Sequence, residues 1–422
     1  GVVTVEKEER HTAFVLAERL REEWSRGFHG ALEAVREGTV FTTHTPVPAG
    51  HDRFPAPLLE RAFEGWPPSG GPELSQLLTL GSEPGVDLQE LCMTVLALRG
   101  CRASNGVSEK HGEVSREMWQ AVWPDQAQVP IGHVTNGVHA GSWLGPELQA
   151  LLDRWLPAWR DRLSSGEPMD ELFDLDPEEL WAAHRAQKQH LVRWLADRSG
   201  VSVDPDALLV GFARRFATYK RGDLLLSDFG RIAELLGSED RPVQFVFAGK
   251  AHPQDEGGKA ILQRLCQAAR DPRTRGRIVV IEDYEIAVGR TLVQGVDLWL
   301  NNPRRPREAS GTSGQKVAMN GGLNCSTLDG WWIEGLAQQP LAGWAVGDLA
   351  PAVLEAEGDR ADALDLYRLL EEEIVPCFFD RDEQGLPREW VRRMAASIAV
   401  CLPAFNTDRM LADYVRRVYR VS

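Results

Sequence analysis

Residues 207–223, ALLVGFARRFATYKRGD, decide the fold. An apolar run closes at Ala213, and the chain breaks at once into Arg214, Arg215, Tyr219, Lys220 and Arg221. A short apolar stretch bounded by a polar loop reads as a strand covered on both faces. The pattern recurs in PVQFVFAG (242–249), RIVVIED (277–283) and VDLWLN (296–301), with helical spacing between them over 221–236, 256–269 and 285–294. Strands alternating with helices predict a parallel, doubly wound, Rossmann-like sheet. Ligands of such sheets bind outside the carboxyl ends of the strands, so the loops there are where chemistry is expected.

Outward from this region the pattern is less regular. TAFVLAERLREEW (12–24) has helical spacing, and TVFTTH (39–44) is a β-branched strand that empties into the loop TPVPAGHDRFP (45–55). A second helix is expected near 89–102 and a second strand at 128–134, leading into TNGVHAGSW (135–143). A polar, acidic stretch (164–179) and an amphipathic helix ending at Gly200 follow. The boundary between two lobes is therefore placed after residue 137, with 1–137 and 138–422 as the domains. A chain of 422 residues exceeds what one core ordinarily supports, which agrees with two. No 20–50-residue repeat is evident, which sets solenoids and propellers aside.

Composition narrows the function. Net charge is −15, so nucleic acid and anionic membranes are not expected partners, and any anion site must be local. Two basic groupings qualify: Arg214, Arg215, Lys220 and Arg221, and then Arg304, Arg305 and Arg307. Either alone reads as a solvated face. At a strand end, however, guanidinium forks and an ammonium suit a compact, multiply charged anion such as phosphate. No apolar run approaches the ~20 residues of a membrane span, and the opening GVVTVEKEERH lacks signal-peptide blocks, so a cytoplasmic protein is expected. The six cysteines are scattered without a C-x-x-C pair and read as reduced thiols. His133 and His139 flank TNG with no carboxylate or cysteine set, so no metal is expected.

The segment NNPRRPREASGTSGQKVAMNGG (301–322) carries the most chemistry. Small residues from Ala309 to Gly314 let a ligand approach the backbone, and N–H groups ahead of a predicted helix suit an anion. The segment holds neither G-x-G-x-x-G nor G-x-x-x-x-G-K-[ST], so nucleotide binding is not indicated.

Taken in order, FTTHTPVPAGHDRF, HVTNGVH, FARRFATYKR, FAGKAHP, EDYE, and EASGTSGQK followed by NGGLNCSTLDGWWIE resemble the α-glucan phosphorylases of the bacterial branch, from about His11 onward. The resemblance implies an α/β fold of two Rossmann-like lobes of the GT-B type, and phosphorolysis of α-1,4-glucan to α-glucose 1-phosphate. It implies pyridoxal phosphate on Lys316, with Arg214 and Thr312 on the cofactor phosphate and Tyr284 packed on the cofactor. Arg215 and Lys220 are similar to the substrate-phosphate ligands, and with His44 and Glu308 they make up the expected catalytic group. Asn136, Tyr219, Ser310, Gly311 and His11 look like the sugar-binding residues. An amine used this way needs a lowered pKa, to which Arg304, Arg305 and Arg307 are expected to contribute. The partners implied are the glucan and inorganic phosphate, and a homo-oligomer is left open.

Two departures from the family pattern stand out. A glycine-rich loop of the GNGGLG type is missing, and the family's E-G-H reads Glu9-Arg10-His11. The first lobe is therefore expected to be partly built, and the chain by itself not to turn over glycogen. The rival readings are a nucleotide-sugar glycosyltransferase resembling glycogen synthase, and an inactive glucan-binding remnant. A transaminase-type pyridoxal enzyme fits poorly, because no carboxylate can be nominated for the ring nitrogen.

Overall fold

The computed structural model describes residues 3–6, 12–66, 70–85, 89–200, 202–350 and 352–419. The chain forms two compact units: one holds residues 1–135, 306–310 and 412–422, the other 136–305 and 311–411.

In the first unit, strands β1 (Val3–Glu6) and β2 (Thr39–Thr42) pair in parallel. A small antiparallel ribbon joins β3 (Arg53–Pro55) to β4 (Glu90–Cys92), and β5 (Ala103–Gly106) and β6 (Ile131–His133) complete a four-stranded parallel sheet in the order β1-β2-β5-β6. Leu16, Leu20, Val35, Val95 and Leu96 come from helices covering this sheet and pack with Phe41 into one core. The C-terminal stretch returns to the same sheet. Asn105 Nδ2 donates to the Tyr414 hydroxyl at 3.1 Å, and Arg102 donates to the Tyr419 carbonyl at 2.9 Å.

The second unit is built on six parallel strands: β7 (Leu208–Ala213), β8 (Val243–Ala248), β9 (Ile278–Ile281), β10 (Leu298–Asn301), β11 (Leu323–Thr327) and β12 (Gly343–Val346). Their spatial order is β12-β11-β10-β7-β8-β9. Counting from β7 as strand one, this is the 3-2-1-4-5-6 order of doubly wound nucleotide-binding sheets, which reverses direction between β7 and β10. The first four strands lie where the sequence pattern puts them; β11 and β12 were not expected. Helix Pro177–Ser199 starts at Asp176, whose carboxylate caps the Glu178 and Glu179 N–H groups, and ends at Gly200 in the left-handed region. Proline at the first position and glycine after the last suit the helix ends. The expected helix at 221–236 is shorter, Phe229–Leu236, because Arg221 sits at φ 46° and a separate turn occupies Leu224–Leu226.

A buried charge cluster fastens the long helix to the amino ends of β7 and β10. Lys188 Nζ donates to Asp297 Oδ2 and to the Ala207 carbonyl, both at 2.5 Å. His184 Nε2 meets Asp297 Oδ1 at 2.9 Å, and the Leu209 N–H donates to Oδ2 at 2.8 Å. All three side chains are buried. The cysteines are all free thiols, and Cys92, Cys101, Cys325 and Cys401 are buried. No helix among the described residues is long and apolar enough to cross a membrane.

Candidate functional site

The carboxyl ends of β7 and β10 flank the point where strand order reverses, and both loops that leave them are polar. They are laced together. The Arg304 N–H donates to the Tyr219 carbonyl at 2.7 Å, and Asn302 Nδ2 to the Arg221 carbonyl at 2.8 Å. Arg214 donates to Asn301 Oδ1, and Asn301 Nδ2 in turn to Ser326 Oγ at 2.9 Å. This rail runs across the ends of β7, β10 and β11, fixing the first arginine of the basic loop. Gly249 after β8 is required here, since a Cβ there would lie 2.0 Å from the Arg214 carbonyl oxygen.

The basic groupings divide by role. Arg221 is only 4% exposed and binds Asp359 at 2.9 Å and Asp362 at 2.7 Å. Arg304 pairs with Asp359 and Glu355, and Arg305 reaches Asp362 at 2.8 Å. Read alone as a solvated face, each grouping is instead partly a framework of ion pairs with helix Glu355–Arg368. Arg215 is exposed, and Lys220 is half-buried with its ammonium 5.0 Å from the Tyr219 ring centroid.

Helix Thr312–Met319 begins directly after Gly311, which adopts φ 87°, so the turn into the helix requires a left-handed residue. Its first turn is held from several sides. Ser313 Oγ accepts from Trp299 Nε1 at 3.1 Å, and the Gly314 carbonyl from Asn324 Nδ2 at 3.1 Å. Gln315 donates to the Asn136 carbonyl at 2.8 Å, which brings the TNG turn beside this helix. Gly137 in that turn admits the Asn406 backbone, whose carbonyl oxygen would be 2.1 Å from a Cβ. Lys316 is half-buried, its Nζ 3.8 Å from the Trp143 ring centroid, and burial pushes its pKa below that of an ordinary lysine. The expected help from neighbouring arginines is overturned for Arg304 and Arg305, because Asp359, Glu355 and Asp362 take them and burial is the cause that acts. Tyr284 lies half-buried after β9, with its hydroxyl 2.8 Å from where a Cβ on Gly289 would sit, and burial raises its pKa.

In the second unit Arg214, Arg215, Tyr219 and Lys220 follow β7, Tyr284 follows β9, Gly311, Thr312 and Lys316 follow β10, and Asn136 lies beside the helix of Lys316 through its bond from Gln315. His44, Glu308 and Ser310 belong to the first unit. His44 follows β2, and Ser310 is 6% exposed with no hydrogen-bond partner for its Oγ among the described residues. The adjoining Ala309 carbonyl accepts from Ser108 Oγ at 2.6 Å, and the same oxygen caps helix Glu109–Met118 through the His111 N–H. Ser108, Trp143 and Asn301 were not singled out by the sequence reading, although Trp143 closes TNGVHAGSW and Asn301 opens the segment 301–322. His11 lies outside the described residues.

A six-stranded parallel sheet whose strand order reverses between β7 and β10 defines an α/β protein of the doubly wound class, in which ligands bind beside that reversal. The profile of the carbohydrate phosphorylase family matches residues 85–339, and the chain belongs to that family. It is 40% identical over 409 residues to the glycogen phosphorylase of Aquifex aeolicus, covering 92% of this chain and 58% of that protein. It is 39% identical over 435 residues to the maltodextrin phosphorylase of Thermococcus litoralis, covering 97% and 50%. The chain thus spans about half the length of the curated relatives it matches.

Proposed function

We propose that this chain serves an α-glucan phosphorylase, a cytoplasmic pyridoxal phosphate enzyme of two Rossmann-like lobes of the GT-B type. Residues 1–137 serve the glucan side and 138–422 the cofactor and phosphate side. The observation that carries the reading is Lys316: a half-buried amine against an indole face, on the helix that follows β10. The left-handed start of that helix and the fixed Arg214 suit a cofactor phosphate, and a desolvated amine suits covalent attachment to its aldehyde. When bound, the cofactor supplies a phosphate that exchanges a proton with the substrate phosphate.

The reaction breaks the C1–O4 bond of the terminal α-1,4-linked glucose. A phosphate oxygen bonds to C1 with retained configuration, and O4 of the shortened glucan takes the proton that phosphate gives up. Two phosphate groups near contact repel by about 4 kcal/mol per pair of unit charges at an effective dielectric of ~20. In this reading Arg215 and Lys220 hold the substrate phosphate and offset that repulsion, while Arg214 and Thr312 hold the cofactor phosphate. Tyr284 packs on the cofactor. His44, Glu308, Ser310, Gly311, Asn136, Tyr219 and His11 bind the sugar, where each buried hydroxyl left unpaired costs ~1–3 kcal/mol.

Borohydride reduction of the chain supplied with pyridoxal phosphate, followed by peptide mapping, tests the reading. Label on Lys316 is expected. Label only on another lysine, or none, defeats it.

A further inference from the structure

We propose that Trp143 and Asn320 form a positioning pair for Lys316, holding its side chain against an indole face so that the amine stays out of water and is available unprotonated to a carbonyl ligand. The proposal rests on reading Lys316 as the cofactor-bearing lysine, and it assigns to these two residues the control of that lysine's proton.

The geometry is continuous. Asn320 Nδ2 donates to the Lys316 carbonyl and to the Trp143 carbonyl, both at 2.8 Å, and its Oδ1 accepts from the Gly145 N–H at 2.7 Å. One amide therefore ties the helix of Lys316 to the segment of Trp143 at three points. The indole rests half-buried against two apolar clusters, which leaves its ring little freedom. Two influences oppose each other at Nζ. The ring face attracts the ammonium, whereas exclusion of water penalises it. Burial wins, since the pKa is lowered.

Among the described residues no carboxylate reverses this. Helix Ile286–Gly295 carries only Arg290, exposed, and helix Arg388–Ala404 carries Arg388, Glu389, Arg392 and Arg393, with Glu389 paired to the last two. The turn Ala140–Trp143 has no charged residue, and His139 before it bonds Ser142 Oγ at 2.8 Å. Strands β10 and β11 carry none.

The test is competitive trace acetylation of the full chain without cofactor, from pH 6 to 11, with the Lys316 peptide quantified by mass spectrometry. The reagent needs no pyridoxal, so the midpoint it reads is independent of whether the cofactor reading holds. Trp143→Ala should raise the midpoint by about one pH unit, a tenfold loss of free amine at a given pH. Asn320→Ala should raise it by less, and Trp143→Phe should keep it near the parent value. An unchanged or lowered midpoint in Trp143→Ala overturns the proposal. Should that variant fail to fold, Asn320→Ala decides: a raised midpoint supports the proposal and an unchanged or lowered one overturns it. Absence of borohydride-fixed pyridoxal at Lys316, with the midpoints as expected, would instead strike only the cofactor reading.

Discussion

Replacing Asp297 by alanine should cost this protein most of the stability of its second unit. Its carboxylate is fully buried and accepts from Lys188, His184 and the Leu209 N–H. Removing one partner of a buried pair leaves an uncompensated charge, worth about 3–5 kcal/mol. The stranded Leu209 N–H adds about 1–3 kcal/mol. The sum, roughly 4–8 kcal/mol, is a large share of the ~5–15 kcal/mol that holds a domain folded. Lys188 has one escape, which is to lose its proton, and burial already pushes its pKa down despite the pull of Asp297. Without Asp297 that depression deepens. The unfolded lysine then binds more protons than the folded one between the depressed pKa and ~10.4. Stability of the variant should therefore rise with pH across that window, by up to ~1.4 kcal/mol per unit. The parent should behave differently in acid. Burial alone would raise the Asp297 pKa, but Lys188 and His184 outweigh it and hold the group low. That contribution is present above ~3.9 and is lost as pH falls through the folded value. Urea unfolding followed by circular dichroism from about pH 2 to 9 reads both effects. A loss below ~1.5 kcal/mol at pH 7, with no steeper pH dependence than the parent, would refute an ionised cluster.

The two arginines of one loop should part company. Arg221→Ala, which removes the buried cation shared by Asp359 and Asp362 and leaves Asp362 to Arg305, should lower stability by about 1–3 kcal/mol in urea unfolding, whereas Arg215→Ala at an exposed position should leave it within ~0.5 kcal/mol. On the proposed function, Arg215→Ala and Lys220→Ala should lower phosphorolysis by roughly 10²–10³-fold, read as glucose 1-phosphate release from maltoheptaose, and near-parent rates at saturating phosphate would remove both from that role. Ser108→Ala should cost about 1–3 kcal/mol, because a helix cap and the bond to the Ala309 carbonyl go together, and a change under ~0.5 kcal/mol would show that water replaces both. Gly249→Ala should displace the Arg214 backbone and cost about 1–3 kcal/mol, visible as a lowered thermal midpoint.

The doubly wound unit was legible wherever strands were continuously apolar, as in LLVGFA and VQFVFA, because buried parallel strands need no alternation. Strand β11 was missed because LNCST looks like a loop. Its polar side chains are buried and bond inward, Asn324 to the Gly314 carbonyl and Thr327 to the Pro303 carbonyl at 3.0 Å. The reading of the basic loop drew Arg214, Arg215, Lys220 and Arg221 together by proximity. What separates Arg221 from the others is Asp362, 141 positions away, and no local pattern announces a partner at that distance. The same limit hid Asn320, whose amide acts on Trp143 across 177 positions. Nor does any local signal announce that residues 306–310 and 412–422 return to the first unit.

The cysteines give the protein a built-in clock for its own opening. Burial pushes the Cys101 thiol up to about 12 and raises Cys92, Cys325 and Cys401 as well, so none offers thiolate to a reagent while the fold is closed. Cys92 and Cys101 lie in the first unit, and Cys325 and Cys401 in the second. An alkylating reagent added to the native protein would therefore modify each pair only as fast as its own unit breathes. Reading the two pairs by mass would time the separate loosening of the two units without any engineered probe.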